Sequence, residues 1–291
     1  MAIDVNNAGR AQVLVEALPY IQKYYGKIVV VKYGGNAMIN DELKHDVMRD
    51  IVLLSLVGVK MVLVHGGGPE ISAMLKRVGK QSTFVDGLRV TDEETSEIVQ
   101  MVLAGKINKS LVAKLDNLGG NAMGICGMDG GLIQARMLDE RLGYVGDIAK
   151  IDPKPILDLL DKGYTPVVST IGCDENGHVY NINADTAASH IASALQAETL
   201  VSMTDTPGLL RDPADPTSLI RRLTVDQAEH LQEDGIISGG MIPKIQCVTR
   251  AIREGVSKVF IIDGRVPHAL LIELLTDEGA GTLFKKEFKK K

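Results

Sequence analysis

The chain has 291 residues, 45% of them hydrophobic, and a formal net charge of −5. That is enough apolar material for one large domain or two lobes, and the acidic balance argues against nucleic acid or an anionic membrane as partner. Its three cysteines, Cys126, Cys173 and Cys247, form no Cys-x-x-Cys pair, which fits a reducing cytoplasm and excludes a disulfide framework or zinc site.

No basic-then-apolar leader opens the chain and no apolar run approaches a membrane span. Residues 8–25 are predicted to be helical, with Leu14, Leu18, Ile21 and Tyr25 in one stripe and a kink or break at Pro19. The stripe packs either on its own domain or on a neighbouring subunit. Ile28 to Val31 reads as a strand buried on both faces, running into Lys32 and the pair Gly34-Gly35. Strand, charge and glycines in that order suit the edge of a sheet that meets an anion, because glycine lets backbone N–H groups approach phosphate oxygens. The plainer reading is a snorkelling lysine before an ordinary turn.

The same design recurs at Val62 to Pro69, where His65-Gly-Gly-Gly68 precedes a helix opened by Pro69. Between them, 41–57 is predicted as a helix capped by Asn40 or Asp41 and closed by Gly58. A glycine loop at a helix N-terminus binds anions. Ile71 breaks the Rossmann fingerprint, and no P-loop motif occurs. His65 is read as fixing the loop rather than as catalytic.

Residues 82–91 read as a hairpin turning at Asp86-Gly87, with Arg89 just beyond it. Arginine's donor fork suits a carboxylate, although a surface salt bridge is the simpler role. Thr91-x-x-Glu94 reads as a capping box for a helix to about Ala104, followed by a second helix to about Leu118. Short strands fill 122–150, a helix 153–162 and a buried strand 165–171, with a turn at Glu175 to His178. Asn181, Asn183 and Asp185 alternate, which places them on one face of an extended segment before a helix of small residues. Strand 198–203 ends in Thr204-Asp205-Thr-Pro-Gly208. A helix opens at Gly239, with Lys244 in its first turn. A cation there opposes the helix dipole unless an anion is near. A strand at 257–262, a helix at 267–275 and a loop at 277–282 follow, and the basic run Lys285–Lys291 reads as a solvated tail.

Taken together, Val31 to Ala37, Val64 to Pro69, Asp86-Gly-Leu-Arg-Val-Thr91, Asn181-x-Asn-Ala-Asp185 and Gly239-Gly-Met-x-Pro-Lys244 resemble the amino-acid-kinase superfamily. Within it, the Gly-Leu-Arg-Val-Thr segment is most similar to the acetylglutamate kinases. Aspartokinases differ after the glycines, where this chain has Asn36-Ala37, and carbamate kinases lack the lysine two residues before them. The resemblance implies an α/β fold, a three-layer αβα sandwich around a mostly parallel sheet. It divides the chain into an N-terminal helix (1–25) for oligomerisation, an amino-acid lobe (26–190) and an ATP lobe (191–291).

The implied reaction is ATP-dependent phosphorylation of N-acetyl-L-glutamate, a step toward arginine. The nucleophile is a carboxylate already ionised at pH 7, so positioning and charge stabilisation must do the work rather than a general base. By resemblance Lys32 and Lys244 neutralise the transferring phosphoryl group, and Asp185 holds both. Gly67, Gly68, Arg89 and Asn181 hold the substrate. Gly34, Gly35, Thr204, Asp205 and Gly208 border the nucleotide. Mg²⁺ binds through ATP and water rather than in a protein cage. Similarity to the arginine-inhibited members implies a homo-oligomer, a dimer extending to a hexamer built as a trimer of dimers, with Tyr20, His268, Glu278 and Gly281 near an arginine site. The alternatives are a non-catalytic sensor on the same fold, which would not need all of Lys32, Asp185 and Lys244, and an aspartokinase, which usually carries a further domain.

Overall fold

The computed structural model describes residues 6–38 and 40–288. Two helices lead in, α1 (Asn7–Glu16), capped by the Asn6 side chain, and α2 (Leu18–Tyr24), with Pro19 in its first turn. The break therefore falls where proline was expected to put it. The predicted stripe is not buried: Leu14, Leu18 and Tyr25 are 74%, 50% and 69% exposed. Tyr24, one residue off the stripe, is the anchor, with Lys258 Nζ 4.5 Å from its ring centroid.

From there strands and helices alternate. The first half comprises β1 (Ile28–Tyr33), α3 (Asp41–Leu56), β2 (Lys60–His65), α4 (Gly68–Arg77), β3 (Phe84–Val85), β4 (Leu88–Arg89), α5 (Glu93–Gln100) and α6 (Asn108–Asn117). The second sheet and its neighbours follow as β5 (Ala122–Cys126), β6 (Ile133–Met137), β7 (Gly146–Ile151), α7 (Lys154–Asp161), β8 (Thr165–Ser169), β9 (Ile171–Cys173), β10 (Val179–Asn181) and α8 (Ala184–Ala194). The chain continues through β11 (Thr199–Thr204), β12 (Arg222–Thr224), α9 (Val225–Glu233), α10 (Met241–Arg253), β13 (Lys258–Asp263), α11 (Ala269–Leu275) and β14 (Thr282–Lys285).

The main sheet has the strand order β12-β14-β13-β11-β1-β2-β8-β5, and every pairing in it is parallel except β13 with β14. Alternation along β1 sorts the core into two layers. Val29, Val31 and Tyr33 face the layer of α3, α4, α6 and α11. Val30 faces the layer of α7, α8, α9 and α10. This is the expected αβα sandwich. A second sheet, β10-β9-β6-β7, lies beside it. The lobe boundary expected at 190/191 falls inside α8, and the main sheet runs through both halves.

Several local readings need correction. Asp92, not Thr91, caps α5 by accepting from Thr95 N, whereas the Thr91 hydroxyl donates to Arg89 O. The two helices expected across 93–118 are one helical run, joined by a π-helical segment, Met101–Ile107. Asn183 and Asp185 do not extend the strand of Asn181. Asn183 caps α8 by accepting from Asp185 N and Thr186 N, and Asp185 lies in the first turn. The strand expected over 165–171 is interrupted at Thr170. Lys285 of the basic run closes β14, and residues 289–291 lie outside the described residues.

Candidate active site

The site grows from the carboxyl ends of β1, β2 and β11, where parallel strands deliver their last residues to one edge. Lys32 is in register with Ser202 across β1 and β11, so the two side chains share a face. Both reach Asp185: Lys32 Nζ lies 3.2 Å from Asp185 Oδ1, and the Ser202 hydroxyl donates to the same oxygen at 3.0 Å. Lys32 also donates to Met203 O at 3.3 Å. From the other side Lys244 reaches Asp185 Oδ2 at 2.9 Å. The anion that a lysine in the first turn of α10 requires is therefore Asp185.

Electrostatics fit this arrangement. Burial works to raise the Asp185 pKa, but the two ammonium groups more than offset it and hold the carboxyl at about 2. Burial draws Lys32 below the ordinary lysine value, Asp185 opposing and Lys244 adding to the effect. Ser202 was not anticipated, although a serine inside the apolar run Thr199–Thr204 was a visible signal.

Two cavities meet at this cluster. The smaller, about 270 Å³, is lined by Lys32, Gly34, Gly66 to Gly68, Arg89, Asn181 and Asp185 among others. The larger, about 600 Å³, is lined by Lys32, Gly35, Thr204, Asp205, Gly208, Ser238, Met241 and Lys244 among others. Lys32 and Gly35 border both. Gly35 has φ +71°, and a Cβ there would lie 2.7 Å from Asp205 Oδ1, so the close approach of the two loops requires glycine.

Arg89 is 6% exposed and has no carboxylate partner among the described residues, so it is not a surface salt bridge. It donates to Ser82 Oγ, to Gly68 O at 3.1 Å and to Ser72 Oγ at 2.9 Å, and it stacks on Phe84 with the guanidinium carbon 4.7 Å from the ring centroid. Three of its five N–H donors are used to hold it, leaving two for a ligand. Ser72, Ser82 and Phe84 carried no local signal, because only the folded chain brings them to Arg89.

His65 fixes its loop, as expected. It is fully buried, its Nδ1 is 3.0 Å from Gly66 O, and burial pushes its pKa down to about 4.

The four residues expected at an effector site are divided. Tyr20, Glu278 and Gly281 line a separate cavity of about 150 Å³ with Lys23, Arg221 and Lys258. His268 is not among the lining residues. Its Nδ1 is 2.6 Å from Asp50 Oδ1, a carboxylate 1% exposed on α3. Burial raises Asp50 to about 6, with His268 opposing. Among the described residues no three His, Cys, Asp or Glu side chains group as a metal site, and no helix is long and apolar enough to cross a membrane.

The profile of the Amino acid kinase family matches residues 27–263. The chain is 55% identical to the acetylglutamate kinase of Brachyspira hyodysenteriae over 98% of this chain and 99% of that one. It is 54% identical to the acetylglutamate kinase of Heliobacterium modesticaldum over 95% and 98%. Among solved structures, N-acetylglutamate synthase of Neisseria gonorrhoeae, complexed with coenzyme A and N-acetyl-glutamate, superposes with a TM-score of 0.84 at 29% identity. That match covers 96% of this chain, which spans 64% of the synthase's length. Giardia carbamate kinase shares the fold at a TM-score of 0.69 and 18% identity, over 90% of this chain and 99% of that one. The chain belongs to the amino acid kinase family and, within it, to the acetylglutamate kinases.

Proposed function

We propose that the protein transfers the γ-phosphoryl group of ATP to the side-chain carboxylate of N-acetyl-L-glutamate, giving ADP and N-acetyl-L-glutamyl 5-phosphate for arginine biosynthesis in the cytoplasm. The observation that carries the reading is the Lys32–Asp185–Lys244 cluster at the seam of two cavities. The larger cavity lies within the ordinary range for ligand pockets, about 300–1,000 Å³, and suits a nucleotide. The smaller suits a compact acyl amino acid.

A carboxylate oxygen attacks the γ-phosphorus, the bond to the β–γ bridging oxygen breaks, and ADP leaves with the electron pair. Negative charge accumulates on the transferring group, and Lys32 and Lys244 face it from opposite sides. Asp185 keeps two like charges together without a ligand. Gly35 and Gly67 offer backbone N–H groups to phosphoryl oxygens, with Gly34 beside them. Arg89 takes the substrate's α-carboxylate with its two remaining donors, and Gly68 and Asn181 complete that cavity. Thr204, Asp205 and Gly208 border the nucleotide. The seam is cationic and amidic, suited to a phosphate chain rather than a bare divalent ion, so Mg²⁺ would be held chiefly by the ATP phosphates and would add positive charge there. In this reading 26–190 supplies the amino-acid site and 191–291 the nucleotide site.

We also propose feedback inhibition by arginine at the cavity of Tyr20, Glu278 and Gly281, and assembly of dimers into a hexamer through the N-terminal helices. The exposed Leu14 and Leu18 support the assembly. The related Neisseria synthase, solved with L-arginine, supports the effector class.

The test is ADP release by the purified protein with N-acetyl-L-glutamate, L-glutamate, L-aspartate and N-acetyl-L-aspartate. Turnover confined to N-acetyl-L-glutamate is expected. Equal rates with aspartate would contradict the assignment.

A further inference from the structure

A second buried polar cluster lies beneath the Gly66–Gly68 loop, and no step above uses it. Asn108 is fully buried at the junction of the π-helical segment and α6. Its Nδ2 is 3.2 Å from His65 Nε2, 2.9 Å from Val167 O and 3.2 Å from Ile125 O. One amide thus ties β2, β8 and β5, three adjacent strands of the sheet. Its Oδ1 accepts from Lys109 Nζ at 3.1 Å, which also donates to Gly124 O at 3.0 Å. A Cβ at Gly124 would collide with Asn108 Oδ1, so that strand position is open for this side chain.

The chemistry of these contacts fixes the imidazole. An amide nitrogen only donates, so His65 Nε2 must accept and the ring proton sits on Nδ1, facing Gly66 O. A second set of contacts meets the same loop. A Cβ at Gly67 would strike Ile107 Cδ1 and lie 2.8 Å from Leu103 Cδ2, both in the π-helical segment, and Leu103 itself lines the smaller cavity. π-helical turns are rare and often accompany functional sites, because i→i+5 bonding changes which side chains face inward.

We infer that Asn108 is a positioning residue: it locks His65 in the Nδ1–H form, and through His65 and the packed π-helical segment it sets the Gly66–Gly68 loop against the substrate cavity. The inference rests on the reading above that Gly67 and Gly68 border the acyl amino acid. Asn108 touches no substrate in this arrangement. Its effect passes through the Gly66 carbonyl and thus the direction of the next two peptide N–H groups.

The test uses the full chain with ¹⁵N-labelled histidine. Nitrogen–proton correlation spectra should show His65 protonated on Nδ1 and bare on Nε2. Asn108→Asp keeps the shape but exchanges the donor for a carboxylate, which should draw a proton onto Nε2. The KM for N-acetyl-L-glutamate should then rise about tenfold or more, because small misplacements of binding groups are costly. The change in kcat should stay below about threefold. Leu115→Ala, at the far end of α6, should lower Tm yet leave that KM within about twofold. Should Asn108→Asp fail to fold, Lys109→Met leaves Asn108 in place and removes the ammonium shared by Asn108 Oδ1 and Gly124 O. It should perturb the His65 resonances and raise KM about threefold. An Nε2–H ring in the parent protein overturns the inference, as does an altered ring with unchanged KM. Gly67→Ala separates the two layers of the argument. Unchanged KM in that variant sinks the substrate reading of the loop, whereas the tautomer tests the network alone.

Discussion

The seam of Lys32, Asp185 and Lys244 and the cavity beside Tyr20 are both lined by residues far apart in the chain, yet they are built differently. At the seam, burial and pairing go together: Lys32 is 6% exposed, and its carboxylate partner is tied by a serine and a second lysine. Near Tyr20, cations gather with looser support. Lys23, Arg221, Arg222, Lys258 and Lys285 line the cavity with Asp277 and Glu278. Lys258 is buried and pairs with Glu198 at 3.4 Å. Glu273 is spent on the backbone N–H groups of Ala280 and Gly281. A site that must stabilise charge during a reaction gains from preorganisation, whereas a site that senses a ligand gains from groups the ligand itself completes.

That contrast can be broken first at the seam. Lys32→Ala and Lys244→Ala should each lower kcat by roughly 10²-fold or more, with smaller changes in the KM for N-acetyl-L-glutamate, since charge matched to the transition state acts on the barrier. Steady-state kinetics check this, and an unchanged kcat removes that lysine from the mechanism. A smaller effect is expected at Arg89. Arg89→Lys loses the fork that Ser72, Ser82 and Gly68 orient, so KM should rise about tenfold with kcat nearly preserved. A loss confined to kcat contradicts the binding role.

The smallest catalytic effect belongs to the N-terminal helix. Tyr24 is 2% exposed beneath Lys258, so a deletion of residues 1–25 would remove a core side chain, at a cost of about 3–5 kcal/mol. Deleting residues 1–17 spares it. That variant should keep its basal kcat, lose the hexamer by light scattering and respond more weakly to arginine. A truncated protein that remains hexameric refutes the role of α1.

The same contrast explains what the sequence disclosed. Lys32, the two glycine loops, Asp185 and Lys244 were legible because each stands where a strand or helix ends, and local pattern reports such ends. A parallel sheet was legible through the apolar runs of β1 and β2, but its strand order was not. The strands of 122–150 were legible, but β9, β10, β12 and β14 were not, since three- and four-residue strands carry too little periodicity. Asn183 misled because alternation over five residues fits a strand and a capped helix start equally well. The π-helical segment was hidden because Gly105 reads as a weak point in one helix or a gap between two. Ser72, Ser82 and Asn108 acquire their roles only from the residues that tertiary structure sets against them. His268 gains from the fold a partner that its sequence neighbours did not disclose. It sits near the effector residues in sequence, but its side chain is held by Asp50.

Asp185 acts by holding the two lysines at the seam, and this role is open to a direct test. It is tested most directly by kcat for Asp185→Asn, measured in the parent protein and again in Lys244→Ala. The expected loss is roughly 10²-fold in the parent and distinctly smaller in the Lys244→Ala background, because residues that act as a unit are not additive. Equal losses in both backgrounds, or an Asp185→Asn variant within about threefold of the parent, would contradict it.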